Sequence, residues 1–331
     1  MGTTYNLTVV GPAAATRGRG VQRGVDSLLA AINAEVNTYD ATSMISRLNA
    51  GDTVRVHVPA RTDALQAAAG AHLAANVELA RGPVRDSRGA FDPTVGPLVE
   101  YYGFGASGAD TATVDAAEVA RLVELVGFAE QVALERLGGT TVLYLRSPGA
   151  RLDLSAIAKG YAVDQVHHYL TRDSALSPGG HFVEIGGEVR TRGLSPRGSA
   201  WTVGVNTPAE GSALTDIELA VAVSDRAVAT SGNYRNVRER GGRRYVHTID
   251  PATGSAEASP LLSATVIAPT CARADAYATA CMAAGDDAPA VLAEAGLPGC
   301  LIFAAAGAGA GDYDVRYVGD FERYLVGGDK R

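Results

Sequence analysis

Five short strand-like runs follow one another between residues 182 and 268, with no helical pattern between them. The runs are mostly apolar and are bounded by Gly, Pro or Asp, as strands commonly are. They occupy 182–185, 201–205, 217–223, 244–249 and 262–268. A doubly wound parallel sheet would place a helix after each strand. The order of the elements therefore predicts an α+β fold with mixed sheets and packed helices.

Helices are predicted on both sides of these strands from apolar residues at helical spacing. Residues 20–36 and Asp63–Leu79 each carry one apolar stripe, and Asp115 with Glu118 resembles the capped start of a helix to about Val126. The remaining predicted elements are helices at 157–170, 272–283 and 287–296, strands at 140–145, 300–304 and 313–318, and a loop at Ala304–Gly311.

Composition narrows the classes of function. The 331 residues are 47% hydrophobic and 20% charged, which suits a large core, and no Pro/Ser-rich linker divides them, so one domain over 1–331 is predicted. A net charge of -7 without a block of Lys or Arg argues against nucleic acid as a partner. No apolar run approaches the ~20 residues that span a bilayer. The three cysteines lack CxxC spacing, which argues against a zinc site or a disulfide framework. Cys271 and Cys281 flank a predicted helix and are expected to be packing residues.

The segment Gly89–Leu98, Gly-Ala-Phe-Asp-Pro-Thr-Val-Gly-Pro-Leu, is a candidate ligand-binding loop. Its prolines fix φ and remove backbone donors, while its glycines permit tight turns. Asp92 precedes Pro93, so its carboxylate is presented from an extended or turning backbone. A stiff loop with Phe91 beside Asp92 suits recognition of a planar, polar ligand. An ordinary tight turn is the alternative.

Asp275 and Thr279 are candidate metal ligands in an Ala-rich helical stretch. Residues four apart face the same way on a helix, so the carboxylate and the hydroxyl could meet one ion. Hard oxygen ligands favour Mg²⁺ or Ca²⁺, and two of them suit Mg²⁺ shared with a phosphate ligand. The alternative is that Thr279 bonds a carbonyl of its own helix while Asp275 caps the helix or is solvated.

Three further segments carry signals for an anionic ligand. Leu152–Asp164 turns from strand into helix and places Lys159 near the helix start, where N–H groups and a point charge attract phosphate; a capped helix with an exposed lysine is the alternative. The glycines of Ile185–Glu188 allow close approach of a ligand, although a bulge is the commoner explanation. The small hydroxyl residues of Ala229–Tyr234 could donate to phosphate oxygens. A lone histidine such as His247 is more often structural than catalytic.

Two motifs point to chemistry that we do not assign. Gly103–Gly108 matches G-x-G-x-x-G, but it lacks the strand before it and the helix after it that a dinucleotide fingerprint needs. His167 and His168 are neighbours on a predicted helix and project about 100° apart, so they cannot readily share a metal. We interpret them as solvated helix surface.

Taken together, these segments resemble the ApbE family, the FAD:protein FMN transferases, over nearly the whole chain. The similar segments, in family order, are Met1–Thr3, Asn37–Tyr39 with Ser43 and Asn49, Gly89–Leu98, Gly103–Gly105, Leu152–Asp164, Gly186–Gly187, Thr230–Gly232, His247–Gly254 and Ala274–Thr279. The departures are Asn37 for Ser, Ser155-Ala156 for Gly-Gly and Asn233 for Asp. The last removes a carboxylate, so no proton-transfer role is assigned to Asn233.

The resemblance implies an ApbE-like, T-fold-like α+β fold, a single flavin transferase domain over 1–331 and a flavin site. It implies that FAD contacts Met1, Tyr39, Ala90, Phe91, Asp92, Asp153, Lys159 and Thr248. It also implies that Mg²⁺ is held by the Ala156 carbonyl, Asp275 and Thr279. Lys159 and His247 are then the candidate catalytic residues: Lys159 would share charge on the phosphates, and His247 would orient phosphate or assist proton transfer.

The implied reaction is transfer of FMN from FAD to a threonine hydroxyl of a client flavoprotein, with release of AMP. Expected clients are subunits of sodium-pumping (Nqr) or Rnf-type respiratory complexes. Hydrolysis of FAD to FMN and AMP and non-enzymatic storage of FAD are the alternatives, and storage would need no metal pair. Many family members are lipid-anchored and exported. We therefore expect a location in the periplasm or on the outer face of the inner membrane if an N-terminal export segment was trimmed, and in the cytoplasm otherwise.

Overall fold

The structure, a computed structural model, describes residues 2–11, 14–57, 71–108, 113–172, 179–209, 211–213, 215–234, 236–305 and 313–327. Met1, the part of Asp63–Leu79 that precedes residue 71 and most of Ala304–Gly311 lie outside these residues. Among the described helices, none is long and apolar enough to cross a membrane.

Helices and strands alternate irregularly along the chain. The helices are α1 (Ala14–Val36), α2 (Met44–Asn49), α3 (His72–Asp86), α4 (Gly96–Tyr101), α5 (Ala116–Val123), α6 (Phe128–Gln131), α7 (Ser155–Arg172), α8 (Cys271–Ala284) and α9 (Ala288–Ala295), with short 3-10 turns at Gly285–Asp287 and Phe321–Tyr324. The strands are β1 (Tyr5–Val10), β2 (Val54–His57), β3 (Val132–Leu137), β4 (Thr140–Leu145), β5 (Gly180–Ile185), β6 (Glu188–Gly193), β7 (Trp201–Asn206), β8 (Ile217–Val223), β9 (Ala227–Gly232), β10 (Val237–Arg240), β11 (Arg243–Val246), β12 (Leu261–Ala268), β13 (Gly299–Ala304) and β14 (Tyr313–Val318).

The chain divides into two compact units. Unit 1 contains Ser27–Ala158 and Asn236–Ala258, and unit 2 contains Gly2–Asp26, Lys159–Arg235 and Ser259–Arg331. The mixture of sheets and helices confirms the α+β class. The prediction of one domain over 1–331 stays a prediction.

Unit 2 is built on a seven-stranded sheet in the order β1-β5-β6-β9-β12-β13-β14, and every neighbouring pair is antiparallel. Helix α8 lies against β9 and β12, and α9 contacts α8 and β13. A core cluster of buried apolar residues joins the sheet to the β7–β8 hairpin: Val189, Val203, Val221, Val223, Val228, Ile267, Cys300, Ile302 and Phe321. Burial of this cluster is the main force that holds the hairpin to the unit.

The β5–β6 hairpin fixes the position of Glu188. Ile185 pairs with Glu188 across the hairpin, so Gly186 and Gly187 alone make the turn. Both glycines have positive φ, 64° and 104°, as a type I′ turn requires. The segment is therefore a hairpin turn rather than a bulge, and Glu188 is the first residue of β6.

Unit 1 combines a three-stranded sheet, β2-β4-β3, with the β10–β11 hairpin and several short helices. Asp115 caps α5, as predicted, by accepting the Ala117 N–H at 2.9 Å. A buried cluster packs α4 and α5 against the chain around β11: Leu98, Tyr102, Val119, Leu122, Tyr245, Ile249 and Ala256.

The structure accounts for the two motifs that we set aside. In Gly103–Gly108, the backbone N–H groups of Ala106 and Ser107 donate to the carboxylate of Glu100, so the protein's own acid occupies these donors. His167 is not solvated helix surface: its Nδ1 lies 2.8 Å from Nε2 of buried His181, and the interpretation as an exposed residue is wrong. The three cysteines are free and buried, as was expected of Cys271 and Cys281 as packing residues.

Candidate functional site

Three charged side chains of unit 2 form what we call the Lys159 cluster: Lys159, Glu188 and Asp275. The Lys159 ammonium lies 3.1 Å from Glu188 Oε1 and 3.4 Å from Asp275 Oδ1. The two carboxylate side chains are only 6% and 2% exposed, respectively, whereas that of Lys159 is 30% exposed. Lys159 is therefore not the exposed surface lysine of the alternative interpretation, and its binding of phosphate stays a prediction.

Helices α7 and α8 approach closely enough for a backbone N–H of α7 to bond a side chain of α8. The Gly160 N–H donates to Asp275 Oδ2 at 2.9 Å. A Cβ at position 160 would overlap the Cys271 carbonyl group and the Ala272 nitrogen, so the packing requires glycine there. In a regular helix the Gly160 N–H would bond to the Ala156 carbonyl, four residues earlier.

Asp164 holds the start of α8 in place. Its carboxylate accepts the Cys271 N–H at 2.9 Å and the Ala272 N–H at 3.0 Å, and Arg190 forms an ion pair with it. The preceding residue, Thr270, makes no side-chain cap of its own. Asp164 thus satisfies donors that a helix N-terminus otherwise leaves open.

Thr279 lies one helical turn beyond Asp275 on α8, as its spacing predicted. Its hydroxyl lies 3.1 Å from the Ser231 hydroxyl on β9. The alternative interpretation had Thr279 bonded to a carbonyl of its own helix and Asp275 capping the helix or solvated. In the structure, Thr279 contacts strand β9 instead, and Asp275 is buried and paired with Lys159.

Opposing charges set the protonation of the Lys159 cluster. Burial alone would lower the pKa of Lys159, but the carboxylates of Asp275 and Glu188 outweigh it and raise that pKa. Burial raises the pKa of Glu188; the charge of Lys159 acts against this rise and that of Asp275 adds to it. The ammonium is therefore a firmly held cation in a buried acidic setting.

The donor set of α8 fits a magnesium ion. Asp275 Oδ1 and Thr279 Oγ1 are hard oxygen donors, which Mg²⁺ prefers. Glu188 pairs with the same lysine through Oε1, and its Oε2 is buried without a hydrogen-bond partner among the described residues. The negative charge of Glu188 is therefore incompletely satisfied. Among the residues that the structure describes, no group of three His, Cys, Asp or Glu side chains is placed to hold a metal. A site here would therefore depend on hydroxyl, carbonyl, phosphate or water oxygens besides one carboxylate.

In unit 1, the Gly89–Leu98 loop is rigid because its side chains bond within the unit. Asp92 Oδ1 accepts the N–H of Thr94 at 2.8 Å, and Oδ2 accepts the N–H of Phe128 at 2.9 Å. Burial raises the pKa of Asp92, although these bonds oppose the rise. Phe91 is buried, and Ala90 donates its N–H to the Ser87 carbonyl at 3.1 Å. Contact of this loop with FAD stays a prediction.

A second group in unit 1, the Tyr39 cluster, comprises Tyr39, Phe104, Arg238 and His247. The Tyr39 hydroxyl donates to the Phe104 carbonyl at 3.1 Å, although the residue is 67% exposed. The Arg238 guanidinium lies 5.5 Å from the centroid of the Phe104 ring, and the His247 ring meets that ring edge-on at 6.4 Å. An exposed tyrosine beside a cation and two rings can bind a flat, anionic molecule.

Asp153 acts on the Tyr39 cluster through charge and on α7 through hydrogen bonds. Burial, then the charges of Asp153 and Glu100, raise the pKa of Tyr39. Asp153 Oδ1 also accepts the N–H of Ser155, the first residue of α7, at 2.8 Å. Thr248, next to His247, is half-buried.

The structure thus brings the predicted site residues into two groups. Lys159 and Asp275 meet in unit 2, with Thr279 one turn further along α8, while Tyr39 and His247 are linked through Phe104 in unit 1. Sequence reasoning missed the roles of Glu188, Asp164 and Arg238. Asp164 carried one usable signal, because it is an acid in an otherwise mostly apolar stretch of a helix.

Comparisons with known proteins all point to one family. The ApbE family model matches residues 1–301. The chain is 32% identical to an FAD:protein FMN transferase of Vibrio cholerae, and the match covers 89% of this chain and 82% of that protein. It is 31% identical to an FAD:protein FMN transferase of Haemophilus influenzae, and that match covers 87% of this chain and 79% of the relative. Solved structures of the flavin transferase ApbE from Vibrio cholerae and of the apo flavinyl transferase ApbE from Pseudomonas stutzeri are similar as well. For the first, the TM-score is 0.79 at 29% identity, covering 98% of this chain and 96% of that chain. For the second, it is 0.79 at 29% identity, covering 99% and 95%.

Proposed function

Because this chain belongs to the ApbE family, we propose that it transfers the FMN portion of FAD to a threonine hydroxyl of a client flavoprotein, with Mg²⁺ and with release of AMP. The observation that carries the proposal is the Lys159 cluster, which places a firmly charged ammonium beside the buried Asp275 carboxylate. Phosphoryl-type transfer depends mainly on positioning and on stabilising negative charge, and these residues supply both.

The reaction replaces the phosphoanhydride bond of FAD with a phosphoester bond to threonine. The threonine oxygen bonds to the flavin-side phosphorus, and the bond from that phosphorus to the bridging oxygen breaks. AMP leaves with the bridging oxygen, and the threonine proton passes to a base. Lys159 would bind a phosphate oxygen and share the charge that grows on the leaving group.

The residues that would hold magnesium are Asp275, Thr279 and the carbonyl of Ala156. When bound, Mg²⁺ neutralises phosphate oxygens and steadies the leaving group. The Gly160 N–H fixes Oδ2 of Asp275, and Oδ1, which faces the Lys159 ammonium, would be the oxygen that binds the metal.

His247 is the candidate for proton transfer or phosphate orientation. Its ring is held edge-on to Phe104, beside the exposed Tyr39. Histidine is suited to proton transfer near neutral pH. Tyr39, Ala90, Phe91, Asp92, Asp153, Thr248 and Met1 would complete the contacts to FAD.

The client and the location belong to the same proposal. We expect an acceptor threonine on a subunit of an Nqr- or Rnf-type respiratory complex. We also expect the protein to work in the periplasm or on the outer face of the inner membrane if it carries an N-terminal export segment with a lipid anchor, and in the cytoplasm otherwise. The support for both is the family membership.

Incubation with FAD, Mg²⁺ and a candidate client, followed by intact mass of the client, tests the proposal. We expect a client that gains one FMN, and loss of this gain in Asp275→Asn. Asp320→Asn is the matched control, because Asp320 pairs with Arg323 on an exposed surface. Free FMN with an unchanged client would indicate hydrolysis, and intact FAD would indicate storage; either result contradicts transfer.

A further inference from the structure

We propose that Lys159 occupies the metal-binding carboxylate of Asp275 as a resident cation and moves onto Glu188 when the metal binds. Glu188 is then a positioning residue: it acts on metal loading by receiving the lysine. The inference rests on the proposed function, because it takes Asp275 as a magnesium ligand.

The two oxygens of Asp275 differ in their availability to a metal. Oδ2 already accepts the Gly160 N–H at 2.9 Å, inside the buried contact between α7 and α8. Oδ1 is the oxygen that remains for a metal, and it is the one that faces the Lys159 ammonium at 3.4 Å. The lysine and the metal therefore compete for the same atom.

The burial of Asp275 prevents two cations from sharing its Oδ1. Asp275 is 1% exposed, so water screens its surroundings poorly. An ammonium and a divalent cation on one buried oxygen would repel each other strongly. The ammonium must therefore leave Oδ1 when the metal arrives.

Glu188 offers the displaced ammonium a second acceptor. Glu188 Oε1 already lies 3.1 Å from Nζ of Lys159. Glu188 Oε2 is buried and has no hydrogen-bond partner among the residues that the structure describes. A carboxylate with an unsatisfied oxygen can take a further donor of the ammonium, so the lysine exchanges one acceptor for another. The hairpin turn at Gly186–Gly187 fixes the backbone from which Glu188 extends.

Calorimetric titration with Mn²⁺ or Mg²⁺ alone, without FAD, tests this exchange in four proteins: wild type, Lys159→Met, Glu188→Gln and the double variant. We expect Lys159→Met to bind metal about tenfold more tightly, because the competitor is gone. Glu188→Gln should bind about tenfold more weakly, because the lysine then stays on Asp275. In the Lys159→Met background the same Glu188→Gln change should alter affinity by no more than about twofold.

Two results overturn the exchange. If Glu188→Gln weakens binding equally in both backgrounds, Glu188 acts on the metal directly. If Lys159→Met does not tighten binding, the lysine is not a competitor. Lys159→Gln, which keeps a hydrogen-bond donor, gives the same test should the methionine variant fail to fold.

The proposed function can fail separately. Transfer is measured by client mass with FAD, whereas the exchange is measured by metal affinity without it. A wild type that binds metal as described but transfers no FMN contradicts the function alone. A wild type that binds neither Mn²⁺ nor Mg²⁺ without FAD overturns the exchange, whereas the proposed function stands if transfer with FAD still requires Mg²⁺.

Discussion

The amide nitrogen of Gly160 lies 2.9 Å from Oδ2 of Asp275, and this hydrogen bond ties α7 to α8. The contact exists because position 160 has no side chain: a Cβ would overlap the Cys271 carbonyl group. One glycine thus sets both the spacing of two helices and the orientation of the carboxylate that we assign to the metal.

Gly160→Ala should lower the free energy of unfolding by roughly 1–3 kcal/mol, the usual cost of forcing atoms into a packed core. It should also weaken Mg²⁺ binding, because Asp275 loses its backbone donor. Gly20→Ala is the control: nothing lies within 4 Å of its added Cβ in α1, so it should stabilise by roughly 0.5–1 kcal/mol. Urea unfolding measures the change in the free energy of unfolding for both variants. Equal effects of the two changes would contradict the packing argument.

Asp164→Ala should destabilise the protein by about 3–5 kcal/mol, because it leaves Arg190 without its partner and strips the cap from α8. Asp52→Ala is the comparison, since its ion pair with Arg47 is exposed and should contribute less than about 1 kcal/mol. Denaturant midpoints of the two variants decide. A loss below about 1 kcal/mol for Asp164→Ala would show that the cap is dispensable.

The sequence predicted secondary structure better than it predicted contacts between residues that are distant in the chain. Local pattern predicted α8 at 272–283, and the structure has it at Cys271–Ala284, because an Ala-rich stretch favours helix regardless of its neighbours. The same pattern could not show that Asp275 meets Gly160 on another helix. Nor could it place Glu188 against Lys159, because that contact depends on a two-residue hairpin turn where a bulge was the commoner expectation.

Acid should destabilise the protein through two neutral histidines. Burial, aided by the positive charges of Arg190 and Arg192, lowers the pKa of His167 to about 2 and that of His181 to about 4, from 6.5. Below pH 6.5 the unfolded chain binds protons at these positions and the folded chain does not. The free energy of unfolding therefore falls as the pH falls from about 6.5 towards 4.

His181→Gln should make this fall shallower, by at most about 1.4 kcal/mol per pH unit. Thermal or denaturant unfolding at several pH values between 7 and 4 measures the slope. An unchanged slope in the variant would mean that His181 is protonated in the folded protein.

Arg238→Gln should weaken binding of FAD by roughly three- to tenfold, because a cation held over the Phe104 ring would be lost beside Tyr39. No carboxylate among the described residues pairs with Arg238, so its charge remains available to a ligand. Arg316→Gln is the control: that guanidinium also lies over a ring, Phe303, but it is paired with Asp314. Flavin fluorescence titration reports both affinities. The same loss in both variants would indicate a general charge effect.

The central claim is that FMN moves from FAD to a protein. The most direct measurement is a time course that counts AMP released and FMN gained by the client in the same samples, with Mg²⁺ present and then chelated. Transfer predicts one AMP for each client that gains FMN, and neither product after chelation. AMP that accumulates with free FMN, while the client mass stays constant, would contradict it.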